Sequence, residues 1–305
     1  MSLEKNIDAA IDAALGSRIV GCVVLVNQNG KEIYARTAGL ADREANRKLE
    51  RNAIWRLASV TKPIVATAAL KMMQQGLLGL DDPVSEYLPY FTPASPDGVV
   101  RPITIRQLLS HSSGLSYETT PKDVAPGMSG PYITLEENLR RLAKAPLVFA
   151  PGTGWAYGTS IDVVGGILAA INGSSLEAAV KRYAAGPLGM VDWGFTPTDP
   201  NRVAANYHNG DLPNPSIVPP VLISEENSPW EAGRIFRADA PQSGGGGSCG
   251  TADDAMKMLE VYNGGTFLKP ETTAEAFKNQ IATRTAARRP RQRRARRASG
   301  DGRCP

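Results

Sequence analysis

Leu3, Ile7, Ile11 and Leu15 recur at helical spacing, with Ser2 in front as a cap and Gly16 behind as a stop, which predicts an amphipathic first helix. The rhythm then changes. The β-branched run RIVGCVVLVNQ is joined through Asn29-Gly30 to KEIYARTAG, the pattern of an antiparallel hairpin closed by a tight turn. Ile54 to Ala58 reads as a further strand that runs straight into Ser59 and the helix-forming stretch VTKPIVATAALKMMQQGL. From Asp81 to about Pro200, short helical patterns alternate with Gly-, Pro- and Ser-rich loops: Thr104 to Ser110, Thr134 to Lys144, Ile161 to Ile171 and Ser175 to Ala185. Residues 201 to 248 lack periodicity and hold PNPSIVPP and SGGGGS, so a long loop with short strands is expected. Thr251 then caps ADDAMKMLEVY, and a last helix is expected from Glu271 to Lys278.

With 305 residues, 42% of them hydrophobic, the chain can bury a core, and its length favours two folding units. No stretch approaches the ~18 uninterrupted apolar residues of a membrane-spanning helix. The net charge of +4 divides unevenly. Nine arginines and one aspartate fall between Ile281 and Pro305, which leaves 25 basic against 29 acidic residues, a charge of −4, in the first 280. A mildly acidic body gives phosphate binding no support, so any nucleic-acid role would sit in the tail and be non-specific. The three cysteines, Cys22, Cys249 and Cys304, are widely spaced with no paired CxxC. Buried thiols in a reducing compartment are the simplest reading. The opening MSLEKNIDAAIDAALG lacks the basic start and continuous apolar segment of a secretory signal, so a cytoplasmic location is expected.

Candidate chemistry concentrates at Ser59-Val60-Thr61-Lys62. A Ser-x-x-Lys at a helix start puts the lysine one turn on, within reach of the hydroxyl. A serine is a poor nucleophile until a base takes its proton, and a partly desolvated lysine near a helix N-terminus can have its pKa lowered enough to serve. The same N-terminus offers N–H donors to an oxyanion. The pattern alone is weak, since Ser2-Leu3-Glu4-Lys5 matches it as a plain helix cap. Gly246-Gly247-Ser248-Cys249-Gly250 matches Gly-x-Ser-x-Gly, but a glycine run precedes it and both histidines, His111 and His208, lie upstream, so a glycine loop is the better reading. Two histidines without a neighbouring ligand set give a metal hydrolase no support.

The ordered segments Ser59-Val60-Thr61-Lys62, GLLGLDDPVSEYLP (76–89), TIRQLLSHSSGL (104–115), FAPGTGWAYGTS (149–160), PLGM (187–190) and GGGGSCGTADDAMKML (244–259) resemble the serine β-lactamase and penicillin-binding-protein superfamily. Within it they are most similar to the esterases of class C β-lactamase fold, the family VIII carboxylesterases, over residues 3 to 280. The resemblance implies an α+β fold in which an antiparallel sheet is flanked by helices and accompanied by a mostly helical domain. It divides the chain into a discontinuous sheet domain (1–80 and 201–282), without the family's C-terminal strands, and a helical domain (81–200), while composition makes 283–305 an Arg-rich tail expected to be disordered. It also makes Ser59 the acylated nucleophile, Lys62 its base and Tyr157 a second proton-transfer group, because a phenol beside an ammonium favours the phenolate. No cofactor and no metal are implied, and the partner is a small ester; the oligomeric state stays open. His111 is expected to be structural, Trp155 and Trp193 to pack, with Trp155 as a possible wall of an acyl pocket.

Two departures stand out. Lactam-acting relatives carry Asn where this chain has Thr159, which favours simple esters over lactams. After Phe277 the family continues with sheet strands whose motif completes the oxyanion hole, whereas ATRTAARRPRQRRARRASGDGRCP shows no strand pattern and resembles translation in a shifted frame. The expected activity is hydrolysis of short-chain carboxylic esters through an acyl-enzyme on Ser59. The competing readings are a truncated, catalytically impaired remnant, a β-lactamase or DD-peptidase activity, and a nucleic-acid-binding module driven by the tail.

Overall fold

Ser2 Oγ accepts the Lys5 N–H at 3.4 Å and opens helix α1 (Leu3–Ala14), as the capping pattern predicts. The computed structural model describes residues 2–125, 133–209, 220–222 and 233–281. Strands β1 (Gly21–Gln28) and β2 (Lys31–Asp42) pair antiparallel. Asn29 and Gly30 both take positive φ, 52° and 73°, the backbone of a two-residue turn whose twist suits a hairpin. The acidic face of α1 lies over this hairpin, where Arg36 pairs with Asp8 at 2.9 Å and with Asp12. β3 (Arg47–Lys48) extends the sheet on the β2 side.

β4 is only Trp55–Arg56, shorter than the expected 54–58. The extended backbone ends at Leu57, which is already helical (φ −77°, ψ −15°); Ala58 follows with a φ of 43°, and Ala58–Val60 forms a 3₁₀ turn before helix α2 (Thr61–Gln74). Nine of the fourteen α2 residues are buried, so this helix is enclosed on every side rather than laid on a surface. α3 (Ile105–Leu109) and α4 (Leu135–Leu142) pack on α5 (Ser160–Asn172), which with α6 (Leu176–Val180) packs directly against α2. Ile64, Met72, Leu108, Leu139, Ile167 and Trp193 meet in one cluster, so helices from both sides of residue 81 share a core. The helix expected to run through Ala185 is α-helical only to Val180 and continues as a π-type turn over Lys181–Ala185.

β5 (Tyr207–Asn209) and β6 (Pro220–Leu222) are the short strands expected between 201 and 248. β7 (Cys249–Gly250) returns to pair with β4 and delivers the glycine run beside the start of α2. Thr251 caps α7 (Ala252–Tyr262) through the Asp254 N–H at 3.1 Å, and α8 (Pro270–Phe277) follows. The architecture is α+β, with small antiparallel sheets flanked by helices. Among the described residues no single helix is long and apolar enough to cross a membrane. Cys249 is buried as expected, whereas Cys22 is only half-buried because β1 lies at the edge of its sheet. Cys304 and the Arg-rich tail, 283–305, lie outside the described residues.

Candidate active site

The left-handed Ala58 turns the chain so that Ser59 stands exposed at the mouth of α2. Such a backbone costs a non-glycine residue on the order of 1 kcal/mol and is held by its surroundings, here the β4–β7 pair and the Leu57 N–H bond to Ser248 O at 2.9 Å. One turn on, Lys62 is 6% exposed and its Nζ donates to Ser59 Oγ at 3.3 Å, to Tyr117 Oη at 3.2 Å and to Gly245 O at 2.6 Å. Tyr157 is a fourth neighbour of this ammonium.

Tyr157 comes from the loop before α5, and its ring centroid lies 4.5 Å from Lys62 Nζ. Two backbone hydrogen bonds hold that loop against residues 111–116: Ala156 N–H to His111 O at 3.0 Å and Gly152 N–H to Ser112 O at 2.8 Å. Gly158 has no room for a side chain there, since a Cβ would stand 2.7 Å from Ser116 Cα. Tyr117 Oη meets the lysine from the other side, and the two tyrosine rings meet edge to face with centroids 5.8 Å apart. Ser59, Lys62 and Tyr157 therefore converge, from two segments nearly a hundred residues apart.

Electrostatics reverses one sequence expectation. Burial draws the Lys62 pKa down, as anticipated, but hydrogen bonding to Tyr157 and the negative character of Tyr117 and Asp162 outweigh it, and the ammonium ends above the usual lysine value. Burial pushes the Tyr157 phenol up, yet hydrogen bonds with Lys62 and Ser59 and the lysine charge leave it below the ordinary phenol range. The proton thus rests on the lysine, and the oxygen readier to accept one is that of Tyr157. Burial keeps Tyr117 above it.

Ser248 is 1% exposed and its Oγ is 2.7 Å from Thr61 Oγ1, which leaves it as part of the loop beneath α2. Trp193 is fully buried, whereas Trp155 packs edge-on against the His111 ring, centroids 6.3 Å apart, and keeps 41% of its surface exposed. Thr159 is buried with no partner for its Oγ1 among the described residues. The glycine run offers no oxyanion donor at 245–248: Gly245 N–H goes to Asp162 Oδ1, Gly246 and Gly247 to Ser243 O, and Ser248 to Thr61 Oγ1.

Tyr117 and Gly245 were not anticipated from the sequence. Nothing in SYETT distinguishes its tyrosine, and the glycine run signals a loop without saying which carbonyl faces the lysine.

A Ser-Lys-Tyr cluster at the head of a buried helix, with a sheet on one side and helices on the other, defines a hydrolase of the β-lactamase and transpeptidase type. The chain belongs to the Beta-lactamase family, whose model matches residues 7–302. It is 41% identical to Esterase EstB of Burkholderia gladioli over 296 residues, 92% of this chain and 75% of that protein. It is 29% identical to Lovastatin esterase of Penicillium rubens over 308 residues, 93% of this chain and 74% of the relative. Among solved structures, EstCE1, a hydrolase with promiscuous acyltransferase activity, superposes with a TM-score of 0.81 at 37% identity, covering 88% of this chain and 75% of that one.

Proposed function

We propose that the protein is a carboxylesterase that cleaves short-chain esters through an acyl-enzyme on Ser59. The observation that carries this reading is the placement of one lysine in hydrogen-bond reach of the exposed Ser59 and against Tyr157. Ser59 Oγ attacks the ester carbonyl carbon and its proton passes to the Tyr157 oxygen, while Lys62 stays an ammonium that stabilises the phenolate form. The tetrahedral adduct collapses, the carbon–oxygen bond to the alcohol breaks, and Tyr157 returns the proton to the departing alkoxide. Water then attacks the acyl-serine by the same proton route and frees the acid. No step calls for a cofactor. The similarity to two esterases and to a hydrolase supports ester chemistry.

Thr159 argues for simple esters over lactams, because it brings no amide to a substrate's acylamino group. The site would lie between a sheet domain (1–80, 201–282) and a helical domain (81–200). The free thiols Cys22 and Cys249 favour the cytoplasm. The test has two arms. A fluorophosphonate should place one adduct on Ser59, with none on Ser248, and the p-nitrophenyl butyrate rate should exceed the nitrocefin rate by more than tenfold. An adduct on Ser248 would sink the nucleophile, and comparable rates would return the chain to the lactam branch.

A further inference from the structure

Asp162, on the first turn of α5, is 2% exposed. Its Oδ1 accepts a hydrogen bond from Ser243 Oγ and another from the Gly245 N–H at 3.2 Å. Its Oδ2 meets no donor among the described residues, and a Cβ on residue 245 would lie 2.3 Å from it, so only glycine fits there. On its far side the same glycine gives its carbonyl to Lys62 Nζ at 2.6 Å. One residue thus joins a buried carboxylate to the ammonium of the Ser59 centre.

A carboxylate placed here is expensive: burial with an incomplete shell pushes the Asp162 pKa up, and the hydrogen bonds from Ser243 and Gly245 and the Lys62 charge are what work against that. Nothing about packing α5 against the glycine run needs that charge. What does respond to it is the centre itself: Lys62, Tyr157 and Tyr117 all feel the negative charge of Asp162. We propose that Asp162 is a positioning residue for this centre, acting through Gly245 to seat the Lys62 ammonium and supplying the counter-charge that keeps it an ammonium. The other groups facing Lys62 are Ser59, Tyr117, Tyr157 and the neutral ring of His111. Facing Asp162, besides Lys62, are the Ser243 hydroxyl and the charge of Arg234, whose guanidinium also binds Pro241 O.

The inference rests on Ser59 being the nucleophile, so its test reads the two claims separately. Wild type and Asp162→Asn are labelled with a fluorophosphonate, and kcat/KM for p-nitrophenyl butyrate is followed against pH. The isosteric variant keeps both hydrogen bonds to Oδ1 but loses the charge, so it should still label at Ser59, lose at least tenfold in kcat/KM, and move its acid limb down by about one pH unit, because removing a nearby negative charge makes the Lys-Tyr pair release its proton more easily. Ser243→Ala, which lets Asp162 hold a proton more readily, should move the limb the same way by less, and serves if Asp162→Asn does not fold. A limb that stays in place in the variants that fold, whatever the loss of rate, would make Asp162 a packing group and overturn the proposal. A wild type unlabelled at Ser59 would overturn the parent reading and this one with it.

Discussion

The imidazole of His111 lies against the phenol of Tyr157, ring centroids 4.8 Å apart and planes tilted by 38°. Burial and the nearby Lys62 charge push the His111 pKa down to about 4, so a neutral ring backs the phenol and does not compete for its proton. His111 also has a φ of 57° and gives its carbonyl to the Ala156 N–H, which ties the turn it sits in to the loop that carries Tyr157.

Acid stability should register this histidine. Its folded pKa of about 4 lies below the unfolded value of 6.5, so the unfolded chain takes up the proton first; the contribution is present above pH 6.5 and lost as pH falls through 4, up to about 3 kcal/mol. His111→Asn keeps a residue that tolerates positive φ and removes the titration. The gap in Tm between pH 6.5 and pH 4 should shrink in the variant relative to wild type; an equal gap would mean that His111 is protonated in the fold without cost.

The three groups of the centre should fail as a unit. Ser59→Ala is expected to abolish p-nitrophenyl ester hydrolysis, and Lys62→Ala and Tyr157→Phe each to lose on the order of 10³-fold, with the double variant little worse than either single. Losses that multiply in the double variant would mean that lysine and tyrosine act in separate steps.

The pH–rate profile follows from the direction of the Tyr157 shift. Activity should rise with pH as the phenol gives up its proton, with the limb lying below the ordinary phenol value of about 10. Tyr157→Phe should remove that limb from whatever rate is left. If the limb survives in the phenylalanine variant, another group is the base, and Lys62, 3.3 Å from Ser59 Oγ, is the first to test.

Gly158 is a steric test of how the two tyrosines are brought together. Gly158→Ala would drive a methyl into Ser116 Cα and Leu115 O, at 2.7 and 2.8 Å, so the segments carrying Tyr157 and Tyr117 must part. A loss of about 1–3 kcal/mol in thermal or urea unfolding is expected, with kcat falling more than KM changes. An unaltered kcat would show that the spacing of these loops is not critical.

Local order was decided by residues that are neighbours in the chain. The hairpin follows from Asn29-Gly30, the capped helices from Ser2, Thr104 and Thr251, and the pairing of Ser59 with Lys62 from one turn of helix. The motif order was enough to anticipate that Tyr157 belongs with them, although nothing local says so. What the tertiary structure alone decided is the charge state of that group. Sequence reasoning lowered the lysine on burial, but the acceptors that reverse it, Tyr117, Gly245 and, through the latter, Asp162, are brought in by α5, the 3₁₀ turn at Tyr117 and the glycine loop before β7, at separations of 55 and 183 residues for the two direct contacts. Hydrogen bonds and Coulomb terms act over a few ångströms of space regardless of distance along the chain, so a pKa belongs to the fold and a turn to the sequence.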